Sequence, residues 1–266
     1  MIYTNIEGVP DFECKEYENK KTKYCICIPI INEGERIKKE LETAKKFGID
    51  KIADIIICDG GSSDGSTQDD KLTKLGVNTL LIKKGPGKQG AQLRMGLYYA
   101  LQRGYEGIIT IDGNNKDSIE DVPKFIEKLE EGYDFVQGSR FIKGGTAINT
   151  PFIRLVSVKL IHAPIISLTA GERFTDTTNA YRAYSKKYLT HPEVKPFRDI
   201  FMTYELLAFL SVKASQLKMK TCEIPVRREY PKKGKTPTKI SFFKGNSDLM
   251  KILIQNMRGK YDVPKN

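Results

Sequence analysis

Four apolar, β-rich runs in the first half of the chain constrain its fold more than any other feature. Tyr24 to Ile31, Ile52 to Cys58, Asn78 to Ile82 and Ile108 to Ile111 are each followed by polar residues and then by helical spacing. Val, Ile and Thr are stiff at χ1 and fit a pleated surface, so these runs predict strands. Between them, Ile37, Leu41 and Ala44 fall on one helical face that Gly48 stops, and Leu93, Leu97, Ala100 and Leu101 fall on another. Ile119 to Leu129 predicts a further amphipathic helix, and Tyr133 to Val136 another strand. Strict alternation of this kind builds an open, mainly parallel α/β sheet flanked by helices, whose ligands lie beyond the carboxyl ends of the strands. The polar loops at Asn32, Asp59, Asp112 and Gly138 all follow such ends.

The second half is less regular. Its spacing predicts helices over 151–168 and 200–216, a strand over 219–226, and a basic, Pro- and Gly-containing loop over 227–239. Leu249, Ile252, Leu253 and Asn256 then give 242–257 the spacing of an amphipathic helix, open between core packing and membrane-surface contact. With 266 residues, 39% of them hydrophobic, the chain can bury one large core. Met1 to Lys23 resembles neither a signal peptide nor an anchor, and no later run reads as long enough to span a bilayer. The five cysteines lack zinc spacing and read as reduced core residues of a cytosolic protein, and His162 and His191 read as structural.

The formal charge of +11 is concentrated late: from Lys213 onward, fourteen Lys and Arg face only Glu223, Glu229, Asp248 and Asp262. Such a stretch suits nucleotides or anionic lipid headgroups, or is ordinary solvated surface. Nucleic acid is disfavoured, because the basic loop carries no recognition helix or aromatic stacking module.

The polar loops carry the candidate chemistry. In Asp112-Gly113-Asn114 two oxygen donors flank a glycine at a strand end, which suits a hard divalent cation, Mg²⁺ or Mn²⁺, or else simply turns the chain. Glu33 and Asp59 offer acceptors at the same rim, Glu33 with the alternative of a helix-dipole partner and Asp59 of a turn residue. Lys88, near a helix start, is open between a phosphate or base contact and solvent. The planar fork of Arg140 suits bidentate phosphate contact, a surface ion pair being the alternative. Asp176, Asp199 and Glu205 are candidates for orienting an acceptor or removing its proton, with a structural hydrogen bond the alternative for Glu205.

Taken in order, Pro29-Ile30-Ile31-Asn32-Glu33, Asp59-Gly60-Gly61-Ser62-Ser63-Asp64-Gly65, Lys88-Gln89-Gly90 and Asp112-Gly113-Asn114 resemble the family-two, GT-A type glycosyltransferases. Gly138-Ser139-Arg140-Phe141, Asp176 to Tyr184, Tyr204-Glu205-Leu206-Leu207 and Glu223-Ile224-Pro225-Val226 resemble the dolichyl-phosphate mannose synthase branch. The resemblance implies a GT-A (Rossmann-like) domain over 23–240, an N-terminal extension over 1–22, and a C-terminal helix and tail over 241–266 packed on that domain. It implies an inverting, metal-dependent hexosyltransferase acting from a GDP- or UDP-linked sugar onto a polyprenyl phosphate. The rivals are transfer to a glycan hydroxyl in surface polysaccharide synthesis and noncatalytic sugar-nucleotide binding. The enzyme would be cytoplasmic, with peripheral contact at the cytosolic membrane face.

By the same resemblance, Pro29, Glu33, Asp59, Lys88 and Asp112 face the donor, and Asp112 with Asn114 holds the cation. Arg140, Asp176 and Glu205 serve the acceptor, while Arg140, Arg182, Lys232 and Lys233 meet phosphate. Two positions depart from the family pattern. Asn114 stands where it carries a second Asp, and Lys116 where relatives carry a further ligand. Gly234 to Lys239 only approximates the family's Gly-x-Ser-Lys element, which leaves open which of Arg228, Lys232 or Lys233 supplies the preceding cation.

Overall fold

The computed structural model describes residues 1–232 and 242–264, the side chains of 242–246 excepted. Lys233 and the Gly234 to Lys239 element therefore lie outside the described residues. Two short strands that the apolar pattern does not single out come first, β1 (Ile2–Tyr3) and β2 (Phe12–Glu16). The alternating pattern then forms as its spacing predicts: β3 (Tyr24–Ile30), α1 (Glu35–Lys46), β4 (Asp54–Asp59), α2 (Asp69–Lys74), β5 (Val77–Lys83), α3 (Gln89–Gln102), β6 (Gly107–Thr110), α4 (Val122–Glu130) and β7 (Phe135–Ser139). The irregular half supplies β8 (Thr146–Ile148), α5 (Phe152–Ser157), a π-helical stretch (Val158–His162), α6 (Ala163–Ala170), β9 (Arg182–Ser185), α7 (Lys186–Leu189), α8 (Glu205–Gln216), β10 (Thr221–Pro225), β11 (Arg227–Glu229) and α9 (Phe242–Met257).

Nine strands form one sheet in the order β1-β2-β5-β4-β3-β6-β9-β7-β10, and β11 pairs with β8 in a second. β5, β4, β3 and β6 run parallel, while β2 pairs antiparallel with β5, so residues 1–22 supply the sheet's edge. From β3 the chain moves outward through β4 and β5, then returns to the other side of β3 as β6. That reversal opens a crevice at the carboxyl ends of β3 and β6, where Glu33 and Asp112 emerge. β9 runs antiparallel between β6 and β7, so its amino end, preceded by the loop 175–181, meets the same rim.

Period-two alternation sorts the strand side chains to two cores. Ile26, Ile28 and Ile30 of β3 pack with Ile37 and Leu41 of α1 and Phe125 of α4, while Cys25 and Cys27 face the layer containing α3, α6, α8 and α9. All five cysteines are unbridged thiols. α3 lies close against its strands: a Cβ on Gly96 would sit 2.5 Å from the Cys58 sulfur, nearer than packed atoms approach. In α9, Ile252 and Leu253 are buried and the Asn256 amide donates to the Ala208 carbonyl at 3.1 Å, so this helix packs on α8.

One expectation needs correction. Among the described residues, the continuous helix Phe152–Ala170, made of α5, the π-helical stretch and α6, is long and apolar enough by length and composition to cross a membrane. Only 22% of its apolar window is buried. Arg154 and Lys159 interrupt the run in the sequence and conceal its length.

Candidate active site

Asp112 leaves β6 into a turn fixed by the Asn114 N–H donating to its backbone carbonyl at 2.8 Å. Gly113 serves close packing there, since a Cβ would meet Ile30 at 2.4 Å. The next residue, Asn115, has a φ of 54° and donates its N–H to the carboxylate of Glu40, which α1 buries beneath the turn. Asp112 is therefore held from below, its side chain 21% exposed at the rim.

Its two oxygens are differently engaged. Oδ1 accepts from the Gln89 amide at 2.8 Å, and Oδ2 faces the Arg228 guanidinium at 3.3 Å. Burial pushes the carboxyl up, but Arg228 and Lys116 outweigh burial and hold it below its ordinary value. Arg228 also donates to Asp117 and, at 3.1 Å, to Asn179 Oδ1. Burial works against its charge, yet Asp117 and Asp112 hold it protonated. Backbone pairing explains its placement. The Glu229 N–H donates to the Lys116 carbonyl at 2.7 Å and the Ser118 N–H to the Arg227 carbonyl at 3.1 Å, stitching β11 onto the Asp112 turn.

A second charged group lies beyond β7. Asp176 accepts from Arg140 Nε at 2.6 Å, from its Nη2 at 2.7 Å and from its backbone N–H at 3.1 Å. Both side chains are almost fully buried. Glu223 of β10 holds this loop by accepting from the Thr175 and Asp176 N–H groups. Between the two groups stands Tyr230, its hydroxyl accepting from Arg154 Nη1 at 2.9 Å and its ring near Lys116 at 5.2 Å and Arg228 at 5.7 Å. Burial would raise the phenol, but Arg228, Arg154, Lys116 and Arg140 together bring it down to about 8. Burial and the neighbouring Arg228 likewise push the Lys116 ammonium down to about 8. Arg140 Nη1 and Arg228 Nε are buried donors with no hydrogen-bond partner among the described residues. Four cations surround one phenol, partly offset by the carboxylates of Asp112, Asp117 and Asp176, and two of their donors stay unanswered, an arrangement with room for an anion.

The remaining sequence candidates divide. Asp59 is buried and engaged by the Gly61 and Ser62 N–H groups, so it shapes its own turn, and Glu33 pairs with Arg36 at 2.7 Å. Pro29 sits in β3 opposite Cys58, and Lys88 is exposed just before α3, its N–H donating to the Met202 carbonyl. Lys232 is exposed. Two candidates need correction. Arg182 donates to the carbonyls of Leu207, Asn179 and Thr177 and is buried, so it ties β9 to α8 and does not close over anions. Glu205 accepts from the Thr203 hydroxyl and N–H at the start of α8, a local end-of-helix bond. The residues that sequence reading passed over are Asp117, Arg154, Tyr230 and the buried Glu40. Asp117 stands one residue from Lys116 and Tyr230 two from Arg228, the only signal those two carried.

A divalent cation fits the Asp112 turn on one observation. The Asn114 Oδ1 is buried with no hydrogen-bond partner among the described residues, a hard oxygen beside a carboxylate. Two protein oxygens are a small set, which phosphate oxygens and water ordinarily complete.

Comparison with known proteins agrees with this fold. Residues 25–191 match the family model described as glycosyl transferase family 2. The chain is 26% identical over 219 residues to the glycosyltransferase AglJ of Haloferax volcanii, covering 81% of this chain and 66% of that one. It is 28% identical over 167 residues to a polyprenol monophosphomannose synthase of Mycolicibacterium smegmatis, covering 62% of each. With a dolichol-phosphate mannosyltransferase of Pyrococcus furiosus it shares 25% over 224 residues, 80% of this chain and 60% of the relative. The chain thus spans under two thirds of the length of these curated relatives. In fold it is similar to glucosyl-3-phosphoglycerate synthase of Mycobacterium tuberculosis, solved with Mn²⁺, UDP and phosphoglyceric acid. The TM-score is 0.63 at 16% identity, covering 91% of this chain and 80% of that one.

Proposed function

Because the chain belongs to glycosyl transferase family 2, we propose that it moves a sugar, with inversion, from a nucleoside-diphosphate sugar to a polyprenyl phosphate at the cytosolic membrane face. The observation that carries this reading is the cation cluster of Arg140, Arg154, Lys116 and Arg228 around Tyr230, contiguous with Asp112 at the sheet's switch point. Reaction of a lipid phosphate with a sugar nucleotide brings two phosphorylated groups to one place, and only a site rich in fixed donors tolerates both. The curated relatives named for polyprenol and dolichol phosphate support the same acceptor.

The state of the candidate bases favours a phosphate over a hydroxyl acceptor. Asp176 is engaged by three donors of Arg140, Glu205 by Thr203, and Asp199 by Arg94 at 2.6 Å. A phosphate is already an anion near neutral pH and needs no strong base, so these engagements cost it nothing. Its oxygen attacks the anomeric carbon in line as the bond from that carbon to the diphosphate oxygen breaks, giving an inverted glycosyl phosphate and the free nucleoside diphosphate. Arg140 Nη1 holds the acceptor phosphate, while Lys116 and Arg228 face the departing diphosphate. Asp112 and Asn114 would hold Mg²⁺ or Mn²⁺, which when bound offsets charge on that diphosphate. Glu33, Asp59 and Lys88 border the nucleoside.

The test is incubation with a panel of radiolabelled UDP and GDP sugars, either metal, and a polyprenyl phosphate or an oligosaccharide. Label entering the organic phase only with the lipid phosphate supports the reading. Label in an aqueous oligosaccharide, or nucleotide binding with no turnover, overturns it.

A further inference from the structure

Resting on the donor half of the reading just given, we infer that Arg228 bars a lone divalent cation from Asp112 and yields to the diphosphate of a sugar nucleotide, so that cation and donor enter together. The two arginines of the cluster carry the same fork but fill it differently. Arg140 gives Nε and Nη2, the two donors on one edge of its guanidinium, to Asp176 at 2.6 and 2.7 Å. Arg228 is anchored by its other nitrogen. Nη1 donates to Asp117 and, at 3.1 Å, to Asn179 Oδ1. Its Nε is buried with no hydrogen-bond partner among the described residues, and Nη2 reaches Asp112 Oδ2 at a long 3.3 Å. The Nε and Nη2 edge is thus half filled, with one oxygen where two fit.

That half-filled edge explains how the contact gives way. A diphosphate presents paired oxygens that match Nε and Nη2 together, whereas Asp112 answers one donor of the two. A buried donor left unanswered carries a desolvation cost, which a phosphate oxygen on Nε would remove. Arg228 can therefore turn this edge to the ligand while Nη1 stays on Asp117, and Oδ2 of Asp112 is set free. The way in is past Asp112, whose side chain is 21% exposed against 4% for Arg228.

Charge keeps the site shut until then. Asn114 brings no charge to the turn, and Lys116 brings a positive one. Asp112 and Asp117 are matched by Arg228 and Lys116, so the turn offers a lone divalent cation no net negative charge. Both Asp112 oxygens are also taken, Oδ1 by the Gln89 amide at 2.8 Å and Oδ2 by Arg228. Among the described residues no three His, Cys, Asp or Glu side chains come together as a metal site. One carboxylate and the Asn114 amide need phosphate oxygens to complete a coordination shell, and the same phosphate draws Arg228 away.

The test is Mn²⁺ binding to the full chain near neutral pH, read from the loss of the free-ion electron paramagnetic resonance signal, with the metal alone and with UDP or GDP. Wild type is expected to bind Mn²⁺ at least about tenfold more tightly with one of the nucleotides than without. In Arg228→Gln/Asp117→Asn a cation and an anion leave together, so net charge is unchanged and neither buried partner is left alone. This variant is expected to bind Mn²⁺ alone at least about tenfold more tightly than wild type, and to lose that gain when Asp112→Asn is added. Arg228→Lys, which keeps the charge but not the two-donor edge, should bind lone Mn²⁺ no better than wild type and gain less from the nucleotide. Wild type that binds Mn²⁺ equally with and without either nucleotide overturns the proposal whatever the variants do. So does a folded double variant that binds the lone metal no better, or an undiminished nucleotide effect in Arg228→Lys. Transfer to polyprenyl phosphate is scored separately. If Mn²⁺ uptake depends on nucleotide and on Arg228 but no lipid-linked sugar forms, the gate stands and the acceptor reading falls. If that product forms while Mn²⁺ binding is indifferent to nucleotide and to Arg228, the acceptor reading stands and the gate falls.

Discussion

On the β3–β4 side of the cleft, the two candidate carboxylates are held by near neighbours in the chain. Asp59 takes the N–H groups of Gly61 and Ser62, and Glu33 takes Arg36. On the β7–β11 side the partners come from far away. Arg140 meets Asp176 across 36 residues, and Arg228 meets Asp117 and Asp112 across 111 and 116. The first rim is made by turns that form with the strands themselves. The second exists only once β9, β10 and β11 have docked, so its paired cations are buried and its residues bear on folding as well as on chemistry. Asp112 belongs to both, in a local turn by its backbone and in a long-range pair by its side chain.

The largest expected effect is at that junction. On the proposed reaction, Asp112→Asn should lower turnover by about a thousandfold or more, because it removes the carboxylate that would hold the cation at the diphosphate. Circular dichroism and melting should stay near wild type, since the turn rests on backbone and Glu40 contacts and the buried Arg228 keeps Asp117 as its counter-ion. Unchanged turnover would remove Asp112 from the chemistry.

Breaking one charge pair on each rim sharpens the contrast. Asp176→Asn leaves Arg140 buried without its counter-ion and should destabilise by about 3–5 kcal/mol. Glu33→Gln breaks a pair whose arginine is 43% exposed, and should cost under about 1 kcal/mol. Urea denaturation of the two variants measures both. Similar losses would mean that the two rims are not built differently after all.

The same division governs what could be read in advance. The order of β3 to β7 and the rim position of Asp112 follow from periods of two and 3.6 and from turn residues, all local. Arg182 and Arg140 are both arginines beside polar residues, and nothing local says that one faces three buried carbonyls while the other has a donor unanswered. β9 entering antiparallel between parallel strands is a tertiary choice, and it is what brings Asp176 to Arg140. The apolar helix was legible as a helix, but which side of it stays uncovered depends on α8 and α9.

A pH series probes the deep rim next. Lys116 and Tyr230 both sit near 8, and above that the cluster loses a positive charge and gains a negative one. Affinity for UDP or GDP, by titration calorimetry, should therefore decline as pH rises past about 8, by at most about tenfold per unit for each group. Stability has the opposite sign. Both folded values lie below the free ones of 10.5 and 10.0, so the unfolded chain binds more protons between about 8 and 10 and these two groups favour folding increasingly across that window. Lys116→Gln should flatten part of both trends. Affinity that stays level from pH 7 to 9 would show that these groups do not face the nucleotide's phosphates.

The smallest effect tests the support under the local rim. Burial pushes the Glu40 carboxyl well above its ordinary value of 4.5, the Asn115 N–H opposes that, and Asp117, Asp112 and Glu33 add to it. A raised acid binds a proton more tightly in the folded chain. Its contribution to stability is therefore fully present below about pH 4.5 and is lost as pH rises through the folded value. Glu40→Gln keeps an acceptor for Asn115 and cannot ionise. It should match wild type in acid and exceed it by about 1 kcal/mol at pH 8, measured by denaturant midpoints at the two pH values. Turnover should change little, because Glu40 touches the turn and not the ligand. If the gap is the same at both pH values, the carboxyl is not held protonated, and the Asp112 turn must then carry its strain without a neutral support beneath it.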